Sequence, residues 1–412
     1  MFKRIVFTTV HLKGISIESW GLIDMLWDIL NEIDFSMVFA QEYSSFRKLG
    51  RTESQKLFLE DIYRNCTKLV IEEELASAEK KLILFKSMNR VDYNNFLHEV
   101  SSIRNDIVVD LNKRSSDLNV ELVEYIKENF RYSLIIEDVN PYLQLALRIK
   151  MLSYCYLFNK IRRFTRKAIF FSDMQGPENF FCQAFKLSGV ITATLQHGLY
   201  VEYSDNNNIN IINYKNHVAD YFLAWGTCTA NLIHKYRPDS KVVIVGKPTL
   251  QRVSDDYSRW DFGCILIVSD QKIFNEYNLE MIEVVIKSMP EELDRMFLKL
   301  HPSNDKNIYL ERFPQLKITD VIPDEVGLVV GHTTSLLYEM FSQGFNVVRY
   351  STVVDSIYFP AKVEFRSINE FNKARIFACS NRLKSDSEYY INYLGNESLE
   401  RYSDFIKYFD RV

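Results

Sequence analysis

Four short stretches bring reactive side chains and turn formers together. They are Ser172-Asp173-Met174-Gln175-Gly176-Pro177-Glu178-Asn179, Gln196-His197-Gly198, Lys299-Leu300-His301-Pro302-Ser303-Asn304 and Gly331-His332-Thr333-Thr334-Ser335. Each follows an apolar run that reads as a β-strand. In open α/β sheets ligands bind beyond the carboxyl ends of the strands, so residues in these places carry most weight.

The fourth stretch is the most explicit. A strand ends at Gly331, two threonines and a serine follow, and the apolar run Leu336 to Gln343 begins a helix. A helix N-terminus offers backbone N–H groups, and with hydroxyls beside it suits a phosphate; the alternative is that Thr333 or Thr334 simply caps the helix. Glu339, one turn beyond Ser335, either receives ribose hydroxyls or is a solvated helix residue. His301 is held near a strand end by Pro302 and can donate to a phosphoryl or leaving-group oxygen. His197 stands between Gln196 and Gly198, and the glycine lets a ligand or backbone come close; a histidine satisfied in a buried turn is the other reading. Asp173 and His197 are the two candidates for a base that takes a proton from a hydroxyl, with Asp173 narrowly ahead, and Asp173 as a helix cap is the alternative. His11 and Gly14, after the strand-like Lys3 to Val10, complete an acceptor-side set with Gln196, Gly198 and Glu178.

Several chemistries lack their residues. The seven histidines form no HExxH pattern, no Asp-x-Asp follows a strand, and the glycines make neither a Walker A loop nor a complete GxGxxG. No metal and no cofactor is therefore expected. The six cysteines form no CxxC pair, which predicts buried thiols in a reducing compartment. With 50 Lys and Arg against 54 Asp and Glu the formal net charge is -4, so there is no global electrostatic reason to bind nucleic acid.

These stretches need a scaffold. Alternating strands and helices over 412 residues predict two α/β domains with parallel sheets. Twenty-nine Phe and 24 Tyr imply large aromatic cores. The expected division is a first domain at 1–247, with a helical insertion at about 54–134, and a second at 260–384. Residues 385–412 form C-terminal helices that cross back to the first domain. The Gly246-Lys247-Pro248 turn and the polar stretch to Trp260 mark the boundary. Met1 to Val10 reads as a first strand and not as a signal peptide. No apolar stretch approaches the roughly 18 residues of a membrane span, so the expected location is the cytoplasm. The basic run Lys160 to Lys167 reads first as a solvated helix end and second as a contact with anionic lipid.

In order along the chain, strand-Gln196-His197-Gly198, strand-Lys299-Leu300-His301-Pro302 and Gly331-His332-Thr333-Thr334-Ser335-Leu336-Leu337-Tyr338-Glu339 resemble the GT-B glycosyltransferases of bacterial surface-polysaccharide assembly. That group includes capsule Kdo transferases, bacterial sialyltransferases and CDP-glycerol glycerophosphotransferases, and the resemblance covers about Ala168 to Tyr350. It implies the GT-B fold, two Rossmann-like domains facing a cleft, with the nucleotide donor held mainly by the second. It further implies that His301 contacts the donor phosphate, that Thr333, Thr334 and Ser335 bind it, and that His197 matches a proposed base; Lys299, Pro302, Gly331, His332 and Glu339 complete the expected donor-binding set. The implied function is metal-independent transfer from a nucleotide-activated sugar, CMP-linked sialic acid or a Kdo-type sugar first, to a glycan or lipid-linked glycan of a capsule or O-antigen. Peripheral contact with the inner face of the cell membrane would follow. A polyol-phosphate transferase, a UDP-sugar 2-epimerase-like enzyme and a non-catalytic assembly subunit are the alternatives.

Overall fold

The computed structural model describes the chain except for residues 1–4, 10–31, 40–41, 43–44, 47–48, 50, 70–80, 105, 130–131, 137–140, 201, 203–211, 254–262, 353–358 and 382. His11 and Gly14 lie outside the described residues. The strands, in chain order, are β1 (Ile5–Thr9), β2 (Thr67–Leu69), β3 (Lys81–Lys86), β4 (Ile107–Asp110), β5 (Arg114–Leu118), β6 (Tyr132–Ile136), β7 (Thr165–Phe170) and β8 (Thr192–Leu195). They continue with β9 (Tyr221–Ala224), β10 (Lys241–Ile244), β11 (Cys264–Val268), β12 (Met296–Lys299), β13 (Lys317–Ile318), β14 (Val326–Gly331), β15 (Val347–Tyr350) and β16 (Glu364–Phe365).

Packing divides the chain into two units. The first is Met1–His197, Ile212–Leu223 and Ile406–Val412; the second is Gly198–Ile211 and Ala224–Phe405. These divisions fall elsewhere than the turn at Gly246, because the chain passes between the units more than once.

The first six-stranded sheet has the order β10-β9-β8-β7-β3-β4, and its pairs from β4 through β9 are parallel. Its inner strands β3, β7, β8 and β9 are buried over most of their length, the pattern that parallel sheets require. Phe85 of β3 stacks on Phe170 of β7 with ring centroids 5.1 Å apart, and Phe185 lies 5.4 Å from Phe85 and 5.1 Å from Phe158. Much of the aromatic share of the sequence is therefore spent on this core. The segment expected as a helical insertion instead carries β3 and β4 of the sheet. Leu82 to Phe85 is a four-residue apolar run, too short for a helix to bury but long enough for a strand. The strand expected to open the first domain, β1, pairs antiparallel with β6 in a separate two-stranded sheet.

The chain's last residues complete this unit. Tyr408 and Tyr221 share a hydroxyl hydrogen bond of 3.2 Å, and Asp410 pairs with Arg104 and, at 2.6 Å, with Arg166. Within the basic run, Lys160 likewise meets Glu121 at 2.7 Å and Lys167 lies over the Phe409 ring. The run thus spends much of its charge on internal partners.

The second sheet is parallel throughout, in the order β13-β12-β11-β14-β15-β16. Counted from β11 this is 3-2-1-4-5-6, the doubly wound dinucleotide-fold order, and it reverses between β11 and β14. In the first sheet the corresponding reversal, counted from β3, falls between β3 and β7. All six residues of β14 are buried. Gly331 ends that strand because a Cβ there would lie 2.6 Å from Cγ2 of Val268, so its glycine serves close strand packing.

Candidate functional site

In the second unit, three strand-end loops are bound into one network at the reversal point. After β11, Ser269 Oγ accepts from the backbone N–H of His301 at 2.9 Å and from Nδ2 of Asn304 at 2.9 Å. Asn304 Nδ2 also donates to the Asp270 carbonyl at 2.8 Å. The Asp270 N–H donates to Oδ1 of Asn278, which also receives Nε2 of His332 at 2.8 Å. These bonds tie the loops after β11, β12 and β14 to one another and to the helix Asn275–Ser288.

His301 is partly exposed, and the backbone N–H of Ser303 donates to its Nδ1 at 3.2 Å, with Ser303 Oγ 2.8 Å away. A backbone donor at Nδ1 places the ring proton on Nε2, so the neutral ring is a donor there. Pro302 is exposed at the tip of this loop. The helix Ser335–Gln343 starts at the end of the β14 loop, with Thr334 at its N-cap and no side-chain capping bond.

Other residues expected on the donor turn inward. His332 is 0% exposed: Asn278 takes Nε2, Thr333 Oγ1 lies 2.9 Å from Nδ1, and Arg349 Nε donates to its carbonyl. Burial, with Arg349 nearby, pushes its pKa down to about 3, so the ring is neutral. The buried Asp270 carboxyl, 3.6 Å away, is pushed up to about 7 by burial; both groups favour their neutral forms, and the contact is not an ion pair. His332 and Thr333 thus hold the loop instead of facing a ligand. Lys299 points its ammonium to the Asp320 carbonyl. Ser335 Oγ accepts from the Leu199 N–H at 3.0 Å, and a Cβ on Gly198 would lie 3.7 Å from it, so this hydroxyl anchors the turn after Gly198. Glu339 is paired with Lys247 at 2.6 Å.

In the first unit the reversal between β3 and β7 is closed by Glu178. Its Oε1 accepts from the N–H and hydroxyl of Ser87, each at 2.7 Å, and Oε2 from the Ser172 N–H at 2.7 Å. The side chain is fully buried, and burial pushes its pKa up to about 8 against the opposing effect of these donors. Glu178 therefore clamps two strand ends and does not face an acceptor.

Asp173, the first candidate for the base, is also buried. Its Oδ2 accepts from the N–H groups of Val218 at 2.6 Å and Ala219 at 2.7 Å. An aspartate satisfied by two backbone amides is a loop anchor. Gln196 is buried and its N–H donates to the Leu223 carbonyl. His197 is partly exposed, its ring 6.0 Å from that of Tyr93 and 5.9 Å from that of Phe171. Burial against these rings, with Arg90 adding to it, pushes the imidazole down to about 4. It is neutral at ordinary pH.

Several residues of these loops escaped sequence reading. Ser269 and Asp270 follow a strand as the four singled-out stretches do, and the same rule would have found them. Ser87 to Arg90, with Tyr93 in the helix Val91–Ser102, follow β3, which the charged sequence around it disguised as helix. Among the described residues no group of three or more His, Cys, Asp or Glu is placed to hold a metal ion, and no helix is long and apolar enough to cross a membrane.

Two six-stranded sheets of parallel strands with their helices define the GT-B class, two Rossmann-like domains in one chain. Among solved structures the chain is similar to the S. aureus MnaA-UDP co-structure, with a TM-score of 0.50, 13% identity, and coverage of 80% of this chain and 97% of that one. It is also similar to Anabaena Alr3699/HepE in complex with UDP and glucose, at a TM-score of 0.49, 8% identity and coverage of 81% and 100%. A third is UDP-GlcNAc 2-epimerase from Neisseria meningitidis bound to UDP-GlcNAc, at 0.45, 12% identity and coverage of 80% and 98%. No protein-family model and no curated protein matches the sequence.

Proposed function

We propose that the chain is a glycosyltransferase that takes a sugar from a nucleotide donor and adds it to a glycan hydroxyl. The observation that carries this reading is the network in the second unit, which binds the loops after β11, β12 and β14 together where the sheet order reverses. Such a crevice is where doubly wound sheets bind nucleotides. His301, with its proton on Nε2, and the N-terminal amides of the helix Ser335–Gln343 then stabilise the charge that develops on the departing phosphate.

The balance of the step is simple. The acceptor oxygen bonds to the anomeric carbon, the bond from that carbon to the phosphate oxygen breaks, and the electron pair stays on the phosphate. The acceptor proton goes to a base. We assign that base to His197, because the carboxylate of Asp173 is occupied by backbone amides while the imidazole is neutral, on a residue that is partly exposed. The sequence motifs favour a CMP-linked sialic acid or Kdo-type donor and a surface glycan as acceptor; the UDP in the similar MnaA structure makes UDP-linked sugars the first comparison. An epimerase needs a carboxylate beside C2 of the sugar, and in the first unit Asp173 and Glu178 are both committed to backbone donors.

Incubation with CMP-, CDP-, UDP- and GDP-sugars and a panel of glycan acceptors tests the reading. Nucleotide release that requires acceptor, and that survives EDTA, is the expected result. Release or isomerisation without acceptor would establish the epimerase-like alternative, and binding without turnover a non-catalytic role.

A further inference from the structure

Tyr93 and Arg90 stand beside His197, and the roles above leave them unused. The Tyr93 ring lies 6.0 Å from the imidazole at 84°, an edge-to-face contact. It also lies 4.8 Å from the ring of the buried Phe171, which is itself 5.9 Å from the imidazole. Three rings, carried by the segments after β3, β7 and β8, thus meet in one cluster. Edge-to-face packing at centroid separations of about 4.5 to 7 Å is a preferred arrangement, so two neighbours set the tilt of the imidazole.

The Tyr93 ring is fixed in its turn. Cζ of Arg90 lies 4.4 Å from its centroid, and Nη1 donates to its hydroxyl at 3.2 Å. Nε and Nη2 of the same guanidinium donate to the two carboxylate oxygens of Asp92 at 3.1 and 2.7 Å, a bidentate pair that fixes the plane of the group. The turn that carries these residues is tied down as well. Asn112 Nδ2 donates to the Ser87 carbonyl at 2.6 Å, and Asn94 accepts from Lys86 Nζ at 2.7 Å while donating to Asn89 at 2.9 Å. The Arg90 and Asp92 side chains are 51% and 57% exposed, so their pairing adds little stability. Its effect is on the ring beneath the guanidinium.

A ring whose face already attracts one guanidinium is a poor partner for a second cation. Protonating His197 would set an imidazolium beside that permanent charge, where Tyr93 and Phe171 displace water. Arg90, paired with Asp92, is the charged group that acts on the imidazole, and it opposes protonation.

We propose that Tyr93 and Arg90 are positioning residues for His197: the tyrosine ring, with the guanidinium on its face, holds the imidazole edge to face beyond the strand ends as a free base. The inference rests on the reading of His197 as the base and names what makes it one.

NMR titration of the His197 Cε1 proton in the full chain, assigned with His197→Ala, tests this without a substrate. The wild-type midpoint should fall well below the roughly 6.5 of an open histidine. Tyr93→Ala should move it up towards that value and Arg90→Gln should move it up by less. Tyr93→Phe, which keeps the ring, should leave it nearly in place. An unmoved midpoint in Tyr93→Ala overturns the inference; should that variant fail to fold, an unmoved midpoint in Arg90→Gln does so. The second readout is turnover with the donor and acceptor found active among the CMP-, CDP-, UDP- and GDP-sugars. Tyr93→Ala should lower kcat about tenfold to a hundredfold with KM little changed, the cost of a misplaced group. It should also raise the acid limb of kcat/KM along with the NMR midpoint, and Tyr93→Phe should restore both. A raised KM with kcat intact would make Tyr93 a substrate contact and overturn the inference. Near-normal turnover in His197→Ala removes the base assignment and this inference with it, whereas unmoved midpoints with His197→Ala inactive overturn this inference alone.

Discussion

Glu178 and Ser87 are 91 residues apart in the chain, yet Oε1 of the glutamate accepts both the backbone N–H and the hydroxyl of the serine, each at 2.7 Å. With Oε2 on the Ser172 N–H, one buried carboxyl group joins the ends of β3 and β7. Burial raises its pKa to about 8, above the value of roughly 4.3 in an unfolded chain. The folded state therefore keeps a proton that the unfolded state loses. The stability from this group is complete below the unfolded value and is lost as pH rises through the folded one, at no more than about 1.4 kcal/mol per pH unit. Urea unfolding of wild type and Glu178→Gln from pH 5 to 9 should show the wild-type advantage shrinking as pH rises. An advantage that is constant or grows with pH would contradict the assignment.

His332 carries loop geometry. Removing its ring in His332→Ala opens a cavity and leaves Asn278 and Thr333 without their partner, at a cost of about 2 to 5 kcal/mol in unfolding free energy. A surface histidine would cost under about 0.5 kcal/mol, and a value that small in urea titration would place the ring outside the network.

Asp173 and His197 separate a loop anchor from a base. Asp173→Asn replaces a carboxylate that accepts two backbone amides and should lower stability by about 1 to 3 kcal/mol while turnover of the folded fraction stays within a few-fold. His197→Ala should do the reverse, cutting kcat by about a hundredfold or more with the unfolding midpoint little changed. If Asp173→Asn loses turnover with stability intact, the base returns to Asp173.

The same imidazole sets the acid side of the pH profile. Burial against Tyr93 and Phe171 brings it down to about 4, so kcat/KM should stay level as pH falls through 6.5 and decline only near 4. Between those values the unfolded chain binds a proton that the folded ring does not, so the same burial costs stability as pH falls below about 6.5. A decline of kcat/KM centred near 6.5 in protein shown to be folded would indicate an ordinary, exposed histidine.

The second unit was readable in the sequence because its strands are uninterrupted apolar runs bounded by polar loops; Val326–Gly331 is a strand over the residues its composition indicates. The strand Lys81–Lys86 was hidden by the lysines and glutamates before it, which favour a helix locally, while pairing with β4 and β7 decides the outcome. Residue type marked the loops that matter, but not which way each side chain turns. For His332 that is decided by Asn278, 54 residues earlier, and for Asp173 by amides 45 and 46 residues later. The pairing of Lys247 with Glu339 likewise depends on where Tyr393 and Trp225 place the turn.

The central claim, that the strand-end loops of the second unit bind a nucleotide through His301, is tested most directly by calorimetric titration of CMP, CDP, UDP and GDP into wild type and His301→Ala. The account predicts saturable binding of one of the four by the wild type, weakened about tenfold or more in a folded His301→Ala, as loss of a hydrogen bond to a phosphate requires. Absence of binding for all four, or the same affinity in the variant as in the wild type, would contradict it.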